Sequence, residues 1–167
     1  MNIAPNTLVV PEKPEDYLVV EKLAADAFGP GRFTRTAFRL REGVPHEPDL
    51  SFVTWLGAEA IASVKLTKLW VGDKEALLLG PLVVSTRFKG KGYGAQLMET
   101  AVSAAKAAGH DCIILVGDLA YYQRFGFEVI PRGKITLPGP VDPDRLLICP
   151  LKEGIGQKFT GMARAYC

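Results

Sequence analysis

The spacing of apolar positions changes period several times along this chain, and each change marks an element. Residues 8–10 form a short apolar run that reads as a strand. From Pro14 onward, Leu18, Leu23, Ala27 and Phe28 recur at helical spacing until Gly29-Pro30-Gly31 breaks the pattern. A second helix is expected from about Phe33 to Arg41. It would carry Phe33, Ala37 and Leu40 on one face and Arg32, Arg35 and Arg39 on another. Residues 51–56 and 61–71 suit strands and flank Gly57-Ala58-Glu59-Ala60, which predicts a hairpin. A third strand at 75–84 follows the turn Gly72-Asp73-Lys74. Its nearly continuous apolar character predicts burial on both faces.

Residues 92–108 read as a helix striped by Leu97, Ala101, Ala104, Ala105 and Ala108, with Gly109 as its stop. Residues 111–116 are a further buried strand. Reached through a helix from the strand before, it should run parallel to that strand in a βαβ crossover. Asp118 is a candidate N-cap for a short helix to about Arg124. Residues 127–130 and 146–149 read as strands separated by a proline- and glycine-rich loop at 131–143, with a weaker strand near 163–166. The expected fold class is α+β (mixed α/β): a mixed, mostly antiparallel sheet with one βαβ crossover and helices on both faces, in one domain over 1–167.

Composition narrows the function. The chain has 167 residues, 48% apolar and 23% charged, which is ordinary for a globular domain with a real core. A formal net charge of +2 is too small for nucleic-acid binding by bulk electrostatics, so any anion site must be local. The start lacks a signal-peptide pattern, and no apolar run approaches the roughly 20 residues of a membrane span. A cytoplasmic protein without a membrane partner is expected. Cys112, Cys149 and Cys167 show no metal-like spacing, and buried thiols are expected at Cys112 and Cys149. His46 and His110 are far apart in sequence, so no metal cofactor is expected.

The local anion site is the basic turn Lys89-Gly90-Lys91-Gly92-Tyr93-Gly94, which opens into the helix at 92–108. Helix-start N–H groups are unpaired donors beside a positive dipole end, and glycines admit a phosphate to the backbone. A P-loop would need Gly-Lys-Ser/Thr, and here Gly92 follows Lys91. A dinucleotide fingerprint matches Gly90, Gly92 and Ala95 literally. However, residues 85–89 separate strand from turn, and that strand closes an antiparallel meander.

Acyl-CoA binding is the third template. Leu82-x-Val84 followed by Lys89-x-x-Gly92-x-Gly94 resembles motif A of the GNAT N-acetyltransferases, (R/Q)-x-x-G-x-(G/A). Ala120-Tyr121-Tyr122-Gln123-Arg124-Phe125-Gly126-Phe127 resembles their motif B, F-Y-x-x-x-G-F. The tract LVGDLAYYQRFGFE is further similar to the YhbS-like bacterial branch of predicted acetyltransferases.

The resemblance implies the GNAT acyl-CoA N-acyltransferase fold and an acetyl-CoA-dependent N-acetyltransferase acting directly on a primary amine. Lys89, Gly90, Lys91, Gly92, Tyr93, Gly94 and Ala95 would cradle the pyrophosphate, with Lys89 standing where the family most often has Arg or Gln. Leu82, Val83 and Val84 would offer a strand edge to the pantetheine amides, with the strands at 77–84 and 112–116 diverging at their C-terminal ends. A bulge near Gly80-Pro81 or Val83 would open that wedge; otherwise Pro81 merely ends a buried strand. The N–H of Val83 or Val84 would face the thioester oxygen, a type of contact worth ~3–4 kcal/mol in catalysis. Tyr122 aligns with the family tyrosine that protonates the departing thiolate, or else only packs on the cofactor. Tyr121 aligns with the family's usual phenylalanine and is expected in the core, with Phe125 and Phe127 also packing.

The chain departs from some members at Leu77, Leu78 and Leu79, where they carry a glutamate base. Asp26, Glu47, Glu59 and Asp118 are alternatives, each also readable as a surface charge or cap. No cysteine lies in either motif, which favours direct transfer over a covalent enzyme intermediate. The resemblance also implies that segments 28–33 and 131–143 shape the acceptor site, and Arg32 and Arg35 hint at an acidic acceptor. Dimers are common among such proteins, although the sequence identifies no interface. Two other classes stay open: a non-catalytic acyl-CoA-binding sensor and an NAD(P)-dependent oxidoreductase.

Overall fold

A computed structural model describes residues 2–166, so Cys167 lies outside the described residues. Strands β1 (Thr7–Pro11), β2 (Phe52–Leu56), β3 (Glu59–Val71) and β4 (Lys74–Val84) form an antiparallel meander. Helices α1 (Tyr17–Phe28) and α2 (Thr36–Arg41) lie between β1 and β2. Helix α3 (Tyr93–Ala107) carries the chain from β4 to β5 (Cys112–Val116), which pairs parallel to β4. The short helix α4 (Leu119–Tyr122) follows. Then come β6 (Glu128–Val129), β7 (Ile135–Thr136), β8 (Leu146–Pro150) and β9 (Gly161–Ala165). The strand order is β1-β2-β3-β4-β5-β8-β6, with β9 on the far half of β3 and β7 parallel to β9.

Alternation along β4 and β5 divides the core between two faces. Leu77, Leu79, Ile113 and Leu115 join Leu97, Met98, Ala101 and Ala105 of α3. Ala76, Leu78, Cys112 and Ile114 join Leu40 of α2 and Phe159 on the opposite face. This is the mixed sheet with flanking helices that the apolar pattern predicted, and β4 is buried on both sides as its composition required. Among the described residues no helix is long and apolar enough to cross a membrane.

Four local expectations need correction. The helix expected from Phe33 is interrupted: a 3-10 turn covers Pro30–Thr34, and Arg35 is extended at φ −69°, ψ 140°. Arg35 acts as the backbone cap of α2, its carbonyl accepting the N–H groups of Phe38 and Arg39. Phe33 is therefore outside the helical stripe, 48% exposed and edge-on to Phe38. Asp118 precedes α4, but its side chain caps nothing; its Oδ1 accepts from Arg145 Nε at 3.1 Å instead. Finally, the loop at 131–143 contains β7, whose two residues were too few to show a period.

The feature that shapes the site is a bulge in β4. Val64 pairs with Leu82 and Leu66 with Leu79, so Gly80 and Pro81 together oppose Lys65. Beyond this bulge β4 leaves β5: only Leu77↔Ile113 and Leu78↔Ile114 are paired between them.

Candidate active site

The C-terminal half of β4 turns one edge toward the gap. Ser85 N–H donates to the Ile61 carbonyl at 2.8 Å, which sets the alternation of the antiparallel ladder. Val83, paired with Ser63, directs its peptide groups into β3. Leu82 and Val84 therefore direct theirs toward the side that β5 has vacated. Of the three residues proposed for a pantetheine edge, two have the required orientation and Val83 does not. Its side chain is buried as well.

Helix α3 begins beside that edge. Gly90 and Gly92 adopt φ of +76° and +101°, which a side chain at either position would resist. Gly92 caps α3, and its carbonyl accepts the Gln96 N–H at 3.0 Å. The N–H groups of Tyr93, Gly94 and Ala95 precede the first intrahelical bond and are the donors of this helix start. The turn is tied from behind: Asn2 N–H donates to the Lys91 carbonyl at 2.9 Å, and Ala4 N–H to the Tyr93 hydroxyl at 3.0 Å. The Tyr93 side chain is thus committed to the core, 1% exposed and edge-on to Phe88. Only its backbone is available to a ligand.

Leu82, Val84, Lys89, Gly90, Lys91, Gly92, Tyr93, Gly94 and Ala95 line a cavity of about 470 Å³, together with Phe88, Tyr121 and Arg124. Arg124 adds a third cation beside Lys89 and Lys91; its guanidinium rests 4.6 Å from the Tyr121 ring centre. A second cavity of about 1330 Å³ extends from the gap past Gly80, Leu115 and Gly117 to α1 and α2. Leu82 and Tyr121 line both, so the two spaces meet at them. Segments 28–33 and 131–143 reach the larger one through Phe28, Arg32, Pro140 and Val141.

Of the two tyrosines of α4, Tyr121 differs from expectation. Tyr122 lines the larger cavity but also packs on the core, its ring 5.9 Å from that of Phe127. Gly117 makes the space: a Cβ there would lie 2.5 Å from the Tyr122 ring. Burial, helped by Tyr121 and Asp118, pushes the Tyr122 hydroxyl up to about 12. Tyr121, expected in the core, is half-buried at the junction of the cavities, and its hydroxyl stands 2.8 Å from where a Gly94 Cβ would be.

Of the four carboxylates considered as bases, Asp26 pairs with Lys22, Glu47 with Lys68 and Glu59 with Arg87. Only Asp118 lines the larger cavity, and Arg145 pairs with it. Sequence reasoning missed another group there. His46 and Lys65 line the cavity and lie 3.4 and 3.9 Å from Oε2 of Glu12, which is buried with neither oxygen hydrogen-bonded. Desolvation raises the Glu12 carboxyl above its ordinary value, and burial lowers the His46 imidazole. Nothing in sequence linked residues 12, 46 and 65; the meander brings them together.

A mixed sheet in which the parallel pair β4–β5 opens beside a glycine turn at a helix start is the GNAT-like acyltransferase fold. A model of the Acetyltransferase (GNAT) family matches residues 17–127, and the chain belongs to that family. It is 26% identical over 113 residues to an uncharacterized N-acetyltransferase of Escherichia coli K12, YjhQ, covering 65% of this chain and 62% of that protein. To YhbS of the same strain, also an uncharacterized N-acetyltransferase, it is 33% identical over 60 residues, covering 36% of this chain and 32% of the relative. The matched stretches thus span less than two thirds of either relative. In three dimensions the fold is similar to the crystal structure of E. coli YhbS in complex with CoA. The TM-score there is 0.82 at 21% identity, covering 99% of this chain and 93% of that one. It is also similar to a GNAT family acetyltransferase from Brucella melitensis in complex with acetyl-CoA, with a TM-score of 0.61 at 23% identity over 84% and 94% of the two chains.

Proposed function

We propose that this chain is a cytoplasmic acetyl-CoA-dependent N-acetyltransferase of the YhbS-like branch, one domain that transfers acetyl directly to a primary amine. One observation carries the reading. The Gly80-Pro81 bulge opens a gap between β4 and β5 that joins the glycine-turn cavity to a second, larger one. A thioester donor needs such a geometry, with its phosphates held at one end and its acyl carbon exposed to an acceptor at the other. The likeness to the CoA-bound YhbS fold and to the acetyl-CoA-bound Brucella fold supports it.

The residues present fit the donor. The N–H groups of residues 93–95 and the cations Lys89, Lys91 and Arg124 receive the pyrophosphate. The outward peptide groups of Leu82 and Val84 receive the pantetheine amides as a neighbouring strand would. Acetyl-CoA supplies an activated acyl group, so no metal is invoked. The Val84 N–H faces the gap, where it stabilises charge developing on the thioester oxygen. Tyr122, its proton retained by burial, is assigned to protonate the departing thiolate. His46, held uncharged near neutral pH by burial, is the cavity group suited to accept the amine proton.

Thermal unfolding with acetyl-CoA, CoA and NADH tests the donor. Acetyl-CoA at about 100 times its Kd should add ~2.7 kcal/mol, and NADH nothing. Release of CoA thiol in the presence of an amine panel separates the enzyme from a sensor, which binds without turnover. Stabilisation by NADH alone would overturn the reading.

A further inference from the structure

Cations and carboxylates both line the larger cavity, Glu21, Glu42, Asp118 and Asp142 among the latter, and not every cation there is in a salt bridge. Lys65 is neutralised by Glu21 at 3.6 Å, and Arg145 by Asp118 at 3.1 Å. Arg32 donates to the Gly29 carbonyl at 2.7 Å and stacks on Phe33. Arg35 and Arg41 have no carboxylate within salt-bridge distance among the described residues. Their contacts are apolar: Arg35 lies 5.0 Å from the Phe28 ring centre and Arg41 6.0 Å from that of Phe38.

Arg41 is placed by the same bulge that opens the gap. Its Nη1 lies 2.9 Å from where a Cβ on Gly80 would project, so the glycine admits the guanidinium over the bend in β4. Desolvation and the neighbouring charge of Arg35 bring the Arg41 guanidinium down to about 10, still charged at neutral pH. Arg41 is half-buried and Arg35 exposed; they are close enough to repel, and the nearby Glu21 offsets the charge of Arg41 without a salt bridge to it. An oxyanion between them would relieve the repulsion and match the planar fork of arginine. The site lies beside the gap where the acyl carbon would be, so the anion and the reacting amine must belong to one small molecule.

We propose that Arg41 and Arg35 bind an oxyanion, carboxylate or phosphate, carried by the acceptor, making the acceptor class small amines with an acidic group close to the amine. This rests on the acetyltransferase reading above. The guanidinium over Gly80 sets where that anion sits and so presents the amine to the gap.

The experiment uses protein saturated with CoA, so that the glycine turn is occupied, and titrates three probes: N-acetylalanine, N-acetylalanine amide and inorganic phosphate. N-acetylalanine or phosphate, according to the anion preferred, should bind at least about tenfold more tightly than the amide. Arg41→Gln should weaken that binding by about 10- to 100-fold, Arg41→Lys by less, with CoA affinity unchanged in both. Unchanged CoA affinity and an unreduced Tm show that the variants fold; removal of a half-buried charge that makes no salt bridge should not lower Tm. Equal affinity for N-acetylalanine and its amide with no phosphate binding, or anion binding indifferent to Arg41→Gln, would overturn the proposal. Failure to bind CoA at all would strike the acetyltransferase reading instead. Anion binding lost in Arg41→Gln would still stand in that case.

Discussion

Gly94 and Tyr121 touch across the junction of the two cavities, and a double-mutant cycle measures that contact. A Cβ on Gly94 would lie 2.8 Å from the Tyr121 hydroxyl oxygen and 3.6 Å from Cγ2 of Val84. The second distance is ordinary; the first is roughly half an ångström or more too short for carbon against oxygen. Tyr121 cannot swing aside freely. Its ring is 4.9 Å from that of Tyr122 and 5.6 Å from that of Phe125, and Arg124 rests on it at 4.6 Å. Overpacking of this kind costs ~1–3 kcal/mol. Gly94 has no positive φ and sits in the first turn of α3, so alanine should otherwise gain up to about 0.5–1 kcal/mol in helix propensity. Gly94→Ala alone should therefore lose ~1 kcal/mol. In a Tyr121→Phe background, where the oxygen is gone, the same change should be neutral or stabilising by up to ~1 kcal/mol. The coupling is then about 1–2 kcal/mol, well above the ~0.5 kcal/mol scatter of independent sites. Urea unfolding of the four proteins measures it, with calorimetric titration of CoA as a second readout. Additivity within that scatter would mean that Tyr121 does not stand against the start of α3.

Four further outcomes follow from the same geometry. Tyr122→Phe should lower kcat by about 10²–10⁴-fold while leaving KM for acetyl-CoA nearly unchanged; an unchanged kcat removes Tyr122 from proton transfer. For His46→Gln, steady-state rates from pH 5 to 9 should show loss of the acidic limb, which in the parent falls below pH 6.5 because burial lowers the imidazole from that value; a limb that persists assigns the base elsewhere. Glu12, raised by desolvation above 4.5, costs stability once ionised, so the parent should lose stability as pH rises from 4.5 through its folded pKa and then level off. Glu12→Gln should flatten that decline in pH-resolved urea unfolding, and an identical slope would refute the assignment. Thr54 is buried in β2 with an unpartnered hydroxyl, so Thr54→Val should gain about 1 kcal/mol in the same assay, and a loss would mean that the hydroxyl is satisfied.

The strands, the α3 crossover and the glycine turn were legible because each rests on local periodicity or on consecutive residues. The bulge was legible too, since Gly80-Pro81 stands inside an apolar strand and a proline there has few places to go. The direction of Val83 was not, because it depends on the register between β3 and β4. Tyr121 and Tyr122 are adjacent on α4, and which one packs on the core depends on space left by Gly117, not on any pattern within the helix.

Charge was the hardest property to read from the sequence, for a physical reason. Arg35, Arg39 and Arg41 look alike in a basic segment, and a solvated face is the ordinary meaning of such a run. What separates them is the company that long-range contacts bring. Arg41 reaches over a glycine in β4 that is far away in the chain, while Glu21 and Asp118 of the same cavity form their salt bridges with Lys65 and Arg145. The same holds for Glu12, which looks like a surface residue between Pro11 and Lys13 yet buries a carboxylate without a hydrogen bond. A bulge that opens a sheet therefore does two things at once. It frees the backbone of Leu82 and Val84 for a donor, and it leaves room at Gly80 for the cation that would choose the acceptor. The geometry of transfer and the selection of substrate thus share one origin in β4.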